Sequence, residues 1–191
     1  MWECPVYVHP DELSIASGDF GAMIKYAGPI DHWIVLPMMR AVGQERREAM
    51  LSRASIKDVV KPFDTTDEAP GLADWMWIHT PGHTPGHVSF FRPRDRVLIT
   101  GDAVVMLKLN SVSGLLQGKR GLDGPPWYTS WNWSTVKESV AKLARLEPNV
   151  LATGHGEPMA GAGVAQAFYV FANHFSGRAV TQNAEEIAKR L

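Results

Sequence analysis

Short apolar runs alternate along this chain with breaks rich in glycine and proline. Val6-Tyr7-Val8 is β-branched and aromatic and reads as a strand. Pro10-Asp11-Glu12 reads as a first helical turn, with proline tolerated early and acids at the positive end of the dipole. Residues 14–37 hold several glycines and prolines and show no clear period. Over 38–60 the pattern is helical: Met38, Val42, Met50, Leu51 and Ala54 can share a face, and Pro62 stops it. Residues 64–71 are polar and turn-rich.

The centre is clearer. Trp75-Met76-Trp77-Ile78-His79, His87-Val88-Ser89-Phe90-Phe91 and Arg96-Val97-Leu98-Ile99-Thr100 predict three strands. Residues 106–131 read as one long connection, and a loop of that length is usually functional or disordered. An amphipathic helix is expected over 134–147, with Val136, Val140, Leu143 and Glu147 on one stripe and Pro148 ending it. Asn149-Val150-Leu151-Ala152-Thr153 predicts another strand. Ala165, Phe168, Ala172 and Phe175 recur at helical spacing, so 161–176 is expected as a packed helix, and 183–191 as a last short one capped by Asn183. No linker or repeat divides the chain. The pattern predicts one α/β (α+β) domain, with 1–160 as its body and 161–191 as C-terminal helices packed on it.

Composition narrows the partners. Against 19 Lys+Arg stand 20 Asp+Glu, a net charge of -1, which lacks the basic excess of a nucleic-acid binder. No apolar run is long enough to span a bilayer. The expected partner is a small molecule, with a homo-oligomer left open. Cys4 is the single cysteine, so no intrachain disulfide forms; this fits a reducing, cytoplasmic compartment. Cys4 reads as a small apolar filler.

Three residues occur in one kind of place. His83, Asp102 and His155 each follow a predicted strand and stand beside glycine, which permits the tight turn that throws a side chain over a sheet edge. Side by side, two imidazoles and a carboxylate suit zinc, iron or manganese. Alone, each is an ordinary turn residue.

Thr80-Pro81-Gly82-His83-Thr84-Pro85-Gly86-His87, then Thr100-Gly101-Asp102, then Ala152-Thr153-Gly154-His155-Gly156 resemble the later metal motifs of the metallo-β-lactamase superfamily, in its glyoxalase II-like branch. The resemblance runs from about Val6 to Met159. It implies an αββα sandwich with the metal site at one edge of the sheets. His83 would ligate a first Zn2+, Asp102 would bridge two ions, and His155 would hold the second. Iron or manganese could replace zinc. The implied activity is hydrolysis of an ester, thioester or lactone by a metal-bound hydroxide. The family's first motif, His-x-His-x-Asp-His, does not occur; Asp31-His32 is the only Asp-His pair. Only five residues precede Val6, so the resemblance implies an N-terminally truncated sandwich that binds metal weakly and turns over slowly or not at all. The alternative is a non-catalytic remnant acting as a scaffold or interaction protein.

The remaining candidates are weaker. His87 opens a strand, where it could hydrogen-bond a loop carbonyl or a site residue. His79 ends a strand without a defined role, His9 reads as a surface residue, and His174 as structural or solvated. Ser134-x-x-Lys137 and Ser139-x-x-Lys142 both match a serine β-lactamase signature, but its companion motifs are absent. Trp127, Tyr128, Trp131 and Trp133 either line a substrate cleft or pack their loop. Lys119 and Arg120 read as a solvated pair. Phe168, Tyr169, Phe171 and Phe175 are expected in the core or a dimer face.

Overall fold

The computed structural model describes residues 4–63 and 68–177. The elements run β1 (Val6–Val8), α1 (Leu13–Ala16), α2 (Phe20–Lys25), α3 (Leu36–Ala41), α4 (Gln44–Ala54), β2 (Val60–Pro62), β3 (Met76–His79), β4 (Val88–Arg92) and β5 (Val97–Ile99). Then come β6 (Val105–Leu107), α5 (Val112–Gln117), β7 (Arg120–Asp123), α6 (Trp133–Ala144), β8 (Val150–Ala152), β9 (Met159–Ala160) and α7 (Val164–Phe175).

The main sheet has the order β3-β4-β5-β8-β9. β4 is antiparallel to both β3 and β5, and β8 is parallel to β5. So β3, β5 and β8 run the same way, and their C-terminal ends lie along one edge. The pleat sorts the side chains. Ile78, Ser89, Phe91, Leu98 and Leu151 share one face through the pairs Ile78–Ser89, Phe91–Leu98 and Leu98–Leu151. On that face α6 lays Val136, Val140 and Leu143, and α7 adds Val164, Phe168 and Ala172. Each fully buried large apolar side chain contributes about 1.5–3 kcal/mol.

Trp77 and His79 point to the opposite face. There the parallel β1–β2 pair covers them, with Phe63 stacked on Trp77 at 5.0 Å and Tyr7 stacked on Phe63 at 6.4 Å. Helix, sheet and β1–β2 pair thus form successive layers. No helix among the described residues is long and apolar enough to cross a membrane.

Several expectations need correction. The 38–60 helix is two helices and a strand, broken at Gly43, whose φ of +85° no ordinary helix residue adopts. Residues 106–131 are not a plain connection: β6 and β7 pair antiparallel across α5. Residues 31–35 of the unassigned stretch form a π-helical turn. α6 begins one residue early, because the Asn132 side chain accepts the Thr135 N–H at 3.1 Å and caps it. Its other end is held by the Arg96 guanidinium, which donates to the carbonyls of Leu146 and Glu147 at 2.6 and 2.8 Å, a cation at the negative end of the dipole. Glu147 leaves the buried stripe for solvent, and Cys4 is exposed rather than filling space. Phe168 is fully buried, Phe171 and Phe175 pack against the core, and Tyr169 is half exposed. The helix expected at 183–191 lies outside the described residues.

Candidate metal centre

The shared direction of β3, β5 and β8 explains why three distant residues meet. His83 stands on the loop after β3, Asp102 in the turn after β5, and His155 in the turn after β8. His83 Nε2 lies 3.9 Å from Asp102 Oδ2, and His155 Nε2 lies 3.5 Å from Asp102 Oδ1. One carboxylate therefore faces an imidazole with each of its oxygens. Exposure rises across the group: 20% for the His83 side chain, 36% for Asp102 and 54% for His155, so water enters from the His155 side. Glycine is required at residue 154, where an added methyl would collide with the Asp102 carboxylate.

Hydrogen bonding fixes the tautomer of His83. Ser130 Oγ–H donates to the Pro126 carbonyl at 2.8 Å, leaving its oxygen to accept His83 Nδ1–H at 3.3 Å. The lone pair of His83 is then on Nε2, facing Asp102. Burial pushes the His83 pKa below its usual value, against the smaller opposite pull of Asp102, so the neutral ring dominates near neutrality. Two electron-rich atoms that face each other without a proton between them call for a cation. Two imidazoles and a carboxylate are donor types that a divalent transition ion takes.

Of the two partners left open for His87, the structure shows the turn of Asp102. His87 Nε2 accepts the Asp102 backbone N–H at 3.1 Å, so its proton sits on Nδ1 and goes to Thr80 Oγ1 at 2.8 Å. Ser89 Oγ–H donates to the Thr100 carbonyl at 3.1 Å and accepts from Thr80 at 3.0 Å. Asp102, His87, Thr80, Ser89 and Thr100 are thereby linked in one chain that begins and ends at the turn carrying Asp102. Burial and the nearby His83 push the His87 pKa down to about 4, which keeps the ring a neutral acceptor. The loop of His83 is also pinned: Ser139 Oγ–H donates to the Pro81 carbonyl at 2.7 Å, and Gly86 N–H to Glu12 Oε2 at 2.8 Å.

His9 is no simple surface residue. It stacks on His79 with ring centroids 3.8 Å apart and planes 11° apart. Asp11 joins them, and ligand atoms of all three lie within 4.8 Å of one another. The group is nevertheless poorly arranged for chelation. His9 Nδ1 already accepts the Asp11 N–H at 3.2 Å, and His79 Nε2 donates to the Pro85 carbonyl at 2.8 Å. Nearly parallel rings send their in-plane lone pairs side by side, so one must turn before both reach a single ion. Sequence reasoning missed this stack because 70 residues separate its rings. The exposed Arg120 pairs with Glu157 at 2.8 Å at the surface.

Comparison with known proteins identifies the family. The family model of the metallo-beta-lactamase superfamily matches residues 3–155. The probable metallo-hydrolase YflN of Bacillus subtilis (strain 168) is 36% identical over 177 residues, covering 92% of this chain and 63% of that protein. The chain thus spans less than two thirds of this relative's length. A crystal structure of a metallo-beta-lactamase family protein from Thermus thermophilus superposes with a TM-score of 0.52 at 22% identity, over 91% of this chain and 53% of that one. That likeness concerns the fold.

Proposed function

Because the chain belongs to the metallo-beta-lactamase superfamily, we propose that it is the metal-holding part of a hydrolase acting on an ester, thioester or lactone, with His83, Asp102 and His155 as metal ligands. The observation that carries this is the facing of two imidazole Nε2 atoms and the two oxygens of one carboxylate at 3.5 and 3.9 Å. YflN, described as a probable metallo-hydrolase, supports the same class. A divalent ion held there supplies a Lewis acid that acidifies water and polarises a carbonyl. Zinc is the first candidate, with iron or manganese as alternatives.

The chain's own residues do the holding. Ser130 keeps the His83 proton on Nδ1, and His87 anchors the backbone at Asp102. Neutral His87 neither donates to substrate nor competes for the carboxylate. With Asp102 spanning both positions, each of two ions would have two protein ligands, where catalytic zinc takes about three. Weak binding and slow turnover follow. The second reading is a non-catalytic scaffold.

The test loads the chain with zinc, iron or manganese and offers a thioester, a lactone and a phosphodiester. Slow cleavage of the first two, abolished by chelator and by Asp102→Asn, is expected. Turnover that survives Asp102→Asn would overturn the assignment, and no turnover with metal bound would favour the scaffold.

A further inference from the structure

Beside Ser130, which His83 contacts, opens a cleft of about 630 Å³. One wall is Ala27, Gly28, Pro29, His32 and Trp33; the other carries Trp127, Trp131 and Trp133, with Ser130 between them. The walls touch closely: a methyl at Gly28 would stand 2.6 Å from the Thr129 carbonyl carbon. Tyr26 meets Trp131 edge to face at 5.2 Å. The tryptophan wall is also tied to the metal-site loop. Trp131 N–H donates to the His83 carbonyl at 3.1 Å, Asn132 N–H to the Gly82 carbonyl at 2.9 Å, and Ser130 Oγ accepts from His83 itself. Ser130 thus both lines the cleft and touches the His83 ring.

The chemistry of the lining is one-sided. It contains no Lys, Arg, Asp or Glu, and His32 is its one titratable group. Trp33 is 81% exposed and Trp127 52% exposed, so two large indoles stand in water at the mouth. An apolar group between them would remove that surface from water. A carboxylate or phosphate there would lose hydration and find no Lys or Arg in exchange.

We infer that this cleft receives an uncharged, apolar acyl or aryl group of the substrate and presents the adjoining carbonyl to His83, Asp102 and His155. The inference rests on the hydrolase reading above and names its substrate class. Anionic substituents are excluded from this cleft, while medium-length alkyl and phenyl groups fit its volume.

Binding without turnover tests it. The ¹⁵N-labelled, metal-free chain is titrated with octanamide and, separately, with 8-amino-8-oxooctanoate, which has the same length and ends in a carboxylate. The indole N–H signals report position. Octanamide is expected to shift Trp33, Trp127, Trp131 and Trp133 saturably and to leave Trp75 and Trp77 unmoved. Those two indoles are packed elsewhere, under Arg92 and Phe63. The carboxylate-ended analogue should bind about tenfold or more weakly. Trp127→Ala and Trp33→Ala, both at exposed positions, should each weaken octanamide several-fold without altering thermal unfolding. Shifts spread evenly over all indoles, equal binding of both compounds, or no shift at all would overturn the inference. Octanamide binding in a chain that hydrolyses neither the thioester nor the lactone offered above would overturn the hydrolase reading alone. Ester hydrolysis with unmoved indoles would overturn the cleft's ligand class alone.

Discussion

Ser130 and His87 are small parts of the centre with large expected effects, because each fixes a neighbour rather than touching an ion. Removing the Ser130 hydroxyl frees His83 to place its proton on Nε2, where it blocks the lone pair facing Asp102. Ser130→Ala should therefore weaken zinc binding about 10–100-fold, measured by isothermal titration. His79→Gln, in the stacked pair with His9, should leave that affinity unchanged. Thr80→Val breaks the chain from His87 to Ser89 and strands a half-buried Nδ1–H. A loss of about 1–3 kcal/mol is expected in urea unfolding of the metal-free chain. At this scale the meeting of His83, Asp102 and His155 was readable because each stands in a glycine-flanked turn at a strand end. The roles of Ser130 and the His9–His79 stack were not, since they depend on contacts across 47 and 70 positions of sequence.

Among the elements, α6 connects the core to the site. Its buried stripe packs on the sheet, its Asn132 cap sits next to the His83 loop, and Ser139 reaches the Pro81 carbonyl. Leu143 is fully buried, so Leu143→Ala should cost about 2–5 kcal/mol of stability by denaturant unfolding. Asn132→Ala should cost about 1 kcal/mol through the lost cap alone. The helical period made α6 and α7 legible, and alternation did the same for β3, β4 and β5. β6 and β7 were hidden: Arg120-Gly121-Leu122-Asp123 has no strand composition, and its pairing with β6 is set by tertiary contact rather than propensity. The break at Gly43 was hidden for a related reason. An apolar period can run on through a glycine that turns the chain.

For the molecule as a whole, topology does what no local pattern could announce. An antiparallel step from β3 to β4, another to β5, and a parallel return to β8 bring three strand ends to one edge. The residues after those ends carry the proposed ligands, and the β1–β2 pair packs on the sheet face away from α6. The resemblance in the motifs anticipated this edge, whereas the apolar cleft beside it needed residues 27–33 and 127–133 to be placed side by side. The account stands on Asp102 as the group that both imidazoles face. Its most direct test is zinc titration of the isolated chain beside its Asp102→Asn variant, followed by isothermal calorimetry. The account predicts weak zinc binding by the unaltered chain, reduced at least about tenfold in the variant. Equal zinc affinity in the two proteins would contradict it.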